Sequence, residues 1–186
     1  MITSILFATG NTRKVQEARQ TLNRYSIGLT VVDVNINEIQ HHDPSEIAKA
    51  KAIAAFAATQ EPIVVQDTSW SIPALGGFPG GYMKDTALWW TADDWMRIMA
   101  GQDRTIICLE HVAYYDGVQL QHFAAEYQGV FVDTPRGSSD DNNSIERSIS
   151  LDGKETFAEL HDRGDLASAA SQHKHWELFA EWLLDQ

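Results

Sequence analysis

The chain has 186 residues, with 14 Lys plus Arg against 26 Asp plus Glu, for a net charge of −12 at pH 7. This balance excludes a basic face of the kind that displaces counterions from a DNA or RNA backbone, and a hydrophobic content of 44% excludes a disordered chain. The single cysteine, Cys108, excludes an internal disulfide framework and a Cys-rich zinc site.

The chain order of elements follows from periodicity and punctuation. Ser4 to Ala8 reads as a buried strand, broken by Thr9-Gly10-Asn11. Thr12 to Arg24 follows as a helix with Val15, Ala18 and Leu22 at helical spacing. Gly28 to Val34 is β-branched and reads as a second strand. Pro44-Ser45 precedes an Ala-rich helix over Glu46 to Thr59. Pro62 opens a third strand, Ile63-Val64-Val65, ending at Gln66-Asp67-Thr68. This β-α-β-α-β order predicts an α/β fold; for the whole chain, with the family resemblance given below, the expectation is a mixed, twisted sheet flanked by helices, with two lobes around a central cleft.

Further on, Ala74 to Lys84 is a Gly- and Pro-rich loop that needs special backbone angles. A helix is predicted between the cap signals at Thr91 and Gly101. Thr105 to Tyr115 and Val118 to Val132 form a hairpin around Asp116-Gly117. Ser138 to Ser150 is polar and irregular. Leu166 to Leu184 closes the chain as a helix whose Trp176, Phe179, Trp182 and Leu183 face core or subunit interface. Cys108 reads as a small buried hydrophobe. His173 and His175, two apart, lack the i,i+4 spacing of a helical zinc pair, and His41-His42 falls in a loop, so all four read as surface or partner-facing.

One domain over residues 1–186 is expected at this length. No apolar run is long enough to span a membrane. Residues 1–20 carry no signal-peptide pattern, Thr9 to Arg19 being polar and charged. The expectation is a soluble cytoplasmic protein with neither membrane nor nucleic-acid partners.

The stretch Phe7 to Glu17 carries the most chemistry. A turn from strand to helix exposes backbone N–H groups at a positive helix end, which favours phosphate. Gly10 permits close approach, Thr9 and Asn11 add polar groups, and Lys14 and Glu17 project from one helix face. The spacing is not that of a Walker A loop. Taken alone, the stretch reads rather as a capped surface helix with an i,i+3 ion pair.

Thr9-Gly10-Asn11-Thr12-Arg13-Lys14-Val15-Gln16-Glu17 resembles the opening motif of the inosine triphosphate pyrophosphatase family. Asn35 to Ile39 and Asp43 to Ala52 are similar to that family's next two landmarks. Gln66-Asp67-Thr68 followed by Ala74 to Lys84, with Gly76-Gly77-Phe78-Pro79-Gly80-Gly81-Tyr82, is the closest match. Thr134 to Gly137 and Thr156 to Leu160 resemble later landmarks.

The resemblance implies a homodimeric enzyme that hydrolyses a nucleoside triphosphate to monophosphate and pyrophosphate with Mg2+, or with Mn2+, acting on deaminated purine nucleotides such as ITP and XTP. By position, Thr9, Gly10, Asn11, Lys14, Lys51, Thr68, Lys84, Ser171 and His173 would bind substrate. Glu38, Asp67 and Glu17 would serve the metal. Asp67, Lys14 and Glu38 would be catalytic, with Asp67 as general base.

The sequence departs from this pattern where the base would be read. Asp140 to Ile145 replaces an expected aromatic, Gly- and Pro-containing run. Ser171-Gln172-His173 replaces Ser-His-Arg, and Gln66 replaces a frequent acidic residue. Altered base specificity follows, with Trp70, Trp89 or Trp90 as substitutes for the lost aromatic. The alternative is a weak or inactive nucleotide-binding module on the same fold. A third reading is a phosphatase that releases orthophosphate.

Overall fold

A computed structural model describes residues 4–138, 144–164 and 173–186. Strands β1 (Ser4–Ala8), β2 (Gly28–Val32) and β3 (Ile63–Ser71) alternate with helices α1 (Thr12–Leu22) and α2 (Pro44–Thr59). Next come β4 (Pro79–Gly80), α3 (Met83–Trp89), α4 (Ala92–Ile98), β5 (Thr105–Tyr115) and β6 (Leu120–Phe131). The chain ends with β7 (Ile149–Ser150), α5 (Phe157–Asp162) and α6 (Lys174–Leu184).

The sheet runs β2-β1-β3-β5-β6-β7, and β4 pairs with β3 off this path. β1 is parallel to both β2 and β3, whereas β3–β4 and β6–β7 are antiparallel. The sheet is therefore mixed, as expected.

Local chemistry sets the helix starts. Asn11 caps α1, Asp43 caps α2 ahead of Pro44, and Thr91 and Thr156 form capping boxes with Asp94 and Glu159. Several elements differ from expectation, among them β7 at Ile149–Ser150, inside the stretch expected to be irregular. β3 continues to Ser71 instead of ending at Thr68. α3 begins inside the Gly-rich stretch, since Gly76, Gly77 and Gly80 absorb the positive φ angles before Met83. α5 forms where only a landmark was read. The expected segment Asp140 to Asn143, Ser171, and the start of the C-terminal helix lie outside the described residues.

The chain divides into two compact units. The first comprises Met1–Thr68, Glu110–Ala125 and Gln172–Gln186. Its core packs β1 against α1 and α6 through Phe7, Leu22, Trp176, Phe179 and Leu183, with Trp176 edge-on to Phe7 at a 5.1 Å centroid distance. The aromatic face of α6 is thus core of this unit. A second cluster sets Ala48, Ala52 and Ala55 of α2 against Ile63 and Val65, where small side chains let the helix lie close to the sheet.

The second unit comprises Ser69–Leu109 and Glu126–Ser171. Trp70, Trp95, Ile106, Cys108, Ile145 and Phe157 form its core. Here the Thr134–Gly137 landmark meets the Thr156–Leu160 one. Arg136 pairs with Glu159 at 3.0 Å, and the Thr156 hydroxyl donates to the Arg136 carbonyl.

Candidate active site

The turn after β1 builds one wall of a cavity of about 250 Å³ in the first unit. Thr9, Gly10, Asn11 and Lys14 line it with Asp33, Glu38, Lys51 and Gln66. The helix end at this wall is not left open. Asn11 Oδ1 accepts from the backbone N–H groups of Arg13 (2.9 Å) and Lys14 (3.3 Å), and Thr9 Oγ1 accepts from Asn11 N–H. The expected phosphate-facing amides are therefore partly taken by Asn11. Gly10 has no steric need of its own. A Cβ there would meet nothing nearer than Asp33 Oδ1 at 3.7 Å.

Lys14 does not pair with Glu17. Its ammonium reaches β3 and donates to the Gln66 carbonyl at 3.1 Å. Burial lowers its pKa, while Asp67 and Glu110 pull the other way and keep the charged form supported. The ion pair on α1 is instead Arg13–Glu17, spaced i,i+4 at 3.1 Å.

Lys51 projects from α2 between two carboxylates. Its Nζ lies 2.5 Å from Glu38 Oε1 and 3.7 Å from Asp67 Oδ1. Both carboxylates thus converge on one cationic point. Such an all-oxygen pair has the chemistry to hold a hard divalent cation, which usually takes one or two protein carboxylates.

Gln66 and Thr68 flank Asp67 in β3 and both reach Glu110 of β5. Thr68 donates to Glu110 Oε2 at 2.8 Å, and Gln66 Nε2 does so at 3.0 Å. The Thr68 hydroxyl, expected on substrate, is turned to this carboxylate. Burial pushes the Glu110 pKa up, but the fields of His175, Arg13 and Lys14 and the Gln66 hydrogen bond outweigh it and leave it below the ordinary range.

The model of the Ham1 family matches residues 5–166. The chain is also 32% identical over 184 residues to a dITP/XTP pyrophosphatase of Methanopyrus kandleri, covering 96% of this chain and 95% of that one. The chain belongs to the Ham1 family. An inosine triphosphate pyrophosphatase of Mycosarcoma maydis is 33% identical over 140 residues, covering 72% of each chain. Among solved structures, a HAM1 protein from Coxiella burnetii superimposes with a TM-score of 0.77 at 18% identity, covering 98% of this chain and 99% of that one. The Staphylococcus aureus Ham1 protein does so with a TM-score of 0.72 at 16% identity, covering 98% of both. At these identities the structures establish the fold.

In this Ham1-family chain the remaining expected site residues lie elsewhere. Glu17 is 5% exposed and does not line the cavity itself, but it is bonded to Arg13 and to Gln66 of the lining. His173 and His175 are 4% and 1% exposed, so the expectation of surface histidines is overturned. Only His175 is helical. His173 is the residue before α6, at φ −85° and ψ 64°. Lys84 belongs to the second unit and is exposed in the first turn of α3.

Trp70 is in the core and unable to stack on a base, whereas Trp89 is 76% exposed. Trp89 and Trp90 line a separate second-unit cavity of about 380 Å³ with Phe78, Tyr82, Asp85 and Thr86.

Sequence reasoning missed Asp33 and Glu110. Glu110 had a signal: a lone carboxylate within the apolar run Thr105 to Tyr115 is costly to bury without partners.

Proposed function

We propose that this chain is a nucleoside triphosphate pyrophosphohydrolase, cleaving the α–β anhydride to give a monophosphate and pyrophosphate. The observation that carries the reading is the convergence of Glu38 and Asp67 on Lys51 beside the cavity that Thr9, Asn11 and Lys14 line. The names of the two relatives above support the same reaction class and suggest ITP, dITP or XTP as substrates.

The chemistry follows from the donors. A triphosphate brings about four negative charges. Lys14 and Lys51 neutralise part of them, and the Thr9–Asn11 turn orients the phosphate chain. Glu38 and Asp67 fit Mg2+, with Mn2+ as a substitute, by their oxygen donors and shared focus. When bound, the metal supplies neutralisation of the phosphate oxygens and polarises a water. Asp67 accepts the proton as that water adds to phosphorus and pyrophosphate departs. Lys84 and Ser171 belong to the proposed substrate contacts by family position only.

We further propose that the two units act as one catalytic domain, that the enzyme is a cytoplasmic homodimer, and that base selection is altered. The lost Ser-His-Arg triplet and the Asp140–Ile145 stretch support that last point.

The test is a panel of natural and deaminated nucleoside triphosphates with Mg2+ or Mn2+, with pyrophosphate resolved from orthophosphate. Pyrophosphate release that Asp67→Asn abolishes is the expected result. Orthophosphate release, or nucleotide binding without turnover, overturns the reading.

A further inference from the structure

Outside the proposed Mg2+ carboxylates, three buried side chains of the first unit bring donor atoms together. One ligand atom each from Glu17, His173 and His175 lies within 4.8 Å of the other two. We propose that these three residues form a second metal site, built for a borderline transition metal such as Zn2+ and distinct from the Glu38–Asp67 pair.

The donor set separates the two sites chemically. Two imidazoles and a carboxylate suit Zn2+, Co2+ or Ni2+, whereas Mg2+ prefers oxygen and water. A tetrahedral centre with bonds of about 2.0–2.1 Å places its donors roughly 3.3–3.5 Å apart. The cluster must therefore close by about 1.5 Å at its widest. His173 caps α6, its carbonyl accepting from the Trp176 and Glu177 N–H groups, so this closure comes from side-chain rotation and not from the backbone. His175 of α6 and His173, the residue before that helix, then face Glu17 of α1.

The surrounding shell supports a cation. Glu17 keeps Arg13 on Oε1 and presents Oε2 to the interior. The Gln66 amide nitrogen has two protons and lies 3.0 Å from Glu110 Oε2, 3.2 Å from Glu17 Oε2 and 3.3 Å from His175 Nε2, which accepts in the tautomer protonated at Nδ1. A cation shared by Glu17 and His175 leaves that amide to Glu110.

The probe is Co2+ added to the full chain after chelator treatment. One equivalent per chain with a visible ligand-field spectrum is expected, displaced by Zn2+. Zn2+ should also raise the thermal midpoint by roughly 5–10 °C at a hundredfold excess over Kd. Glu17→Gln and His173→Ala should abolish the spectrum, while Glu38→Gln and Asp67→Asn leave it intact. Circular dichroism checks that each variant is folded. Should Glu17→Gln unfold the chain, His173→Ala alone carries the test. Absence of the spectrum in the wild type, or its loss in Glu38→Gln instead, overturns the proposal. Because the readout is spectroscopic, it stands or falls independently of nucleotide hydrolysis.

Discussion

Trp176 donates its indole N–H to Gln66 Oε1 across 3.2 Å, and this bond sets which way the Gln66 amide points. An indole nitrogen only donates, so the amide oxygen must face it and the NH2 group must face Glu17 and Glu110. One side chain thus ties α6, α1 and β5 to the strand that carries Asp67. Its backbone carbonyl also anchors Lys14. Replacing Gln66 with Leu strands the Trp176 N–H and removes donors from two buried carboxylates. We expect a loss of about 2–4 kcal/mol, since each unsatisfied buried group costs about 1–3 kcal/mol. Urea unfolding measures it.

Lys51 stands where both proposed metal carboxylates converge. Removing one charge-stabilising donor in a catalytic site typically costs about 10²–10³ in rate. Lys51→Met is therefore expected to lower kcat/KM for pyrophosphate release by about that factor. Lys49→Met should change it little, because Lys49 pairs with Glu46 instead, at 2.7 Å. Equal rates in the two variants would remove Lys51 from the mechanism.

His122 of β6 stacks on His111 of β5, with Nε2 of His122 3.0 Å from Nδ1 of His111. Burial first, then the fields of His111 and Lys49, hold its pKa down to about 4 from 6.5, against Asp43 and Glu46. Between these values the unfolded chain binds a proton that the folded chain refuses. The stabilisation is complete above 6.5 and is lost as pH falls towards 4. His175, also held near 4 by burial, adds a contribution of the same sign. The thermal midpoint should fall from pH 7.5 to pH 4.5 (roughly the window that linkage defines). His122→Gln should have a shallower slope, and identical slopes would contradict the assignment.

Two glycines with positive φ separate strain from overlap. Gly153 has φ +75° and open space around a built Cβ. Gly137 has φ +78°, and a Cβ would lie 2.6 Å from the Glu159 backbone nitrogen. Gly153→Ala should cost about 1–2 kcal/mol from backbone strain alone. Gly137→Ala should cost about 1–3 kcal/mol more from overpacking. Denaturant midpoints of the two variants give the comparison.

Much of the fold was legible because its signals are local. The alternation of β1, α1, β2 and α2 follows from apolar period and caps, which act within a few residues. Phe7 to Glu17 also announced a charged turn. The partners of those charges were not legible. Lys14 and Glu17 are three apart on α1, yet one reaches the Gln66 carbonyl and the other pairs with Arg13. Spacing tells which side chains share a helix face, not what packs against it.

The sequence by itself determined the acidic character, the α/β order and the family motifs, since composition, periodicity and short spacings are properties of the chain. Only the tertiary structure decided that Gln66 is a buried junction and that Glu110 is its partner. Only it brought Glu17 to His173 and His175, which stand over 150 residues further along the chain. The reason is physical. A buried polar group is stable only with partners, and those partners come from whichever elements the core brings together, at any distance in sequence.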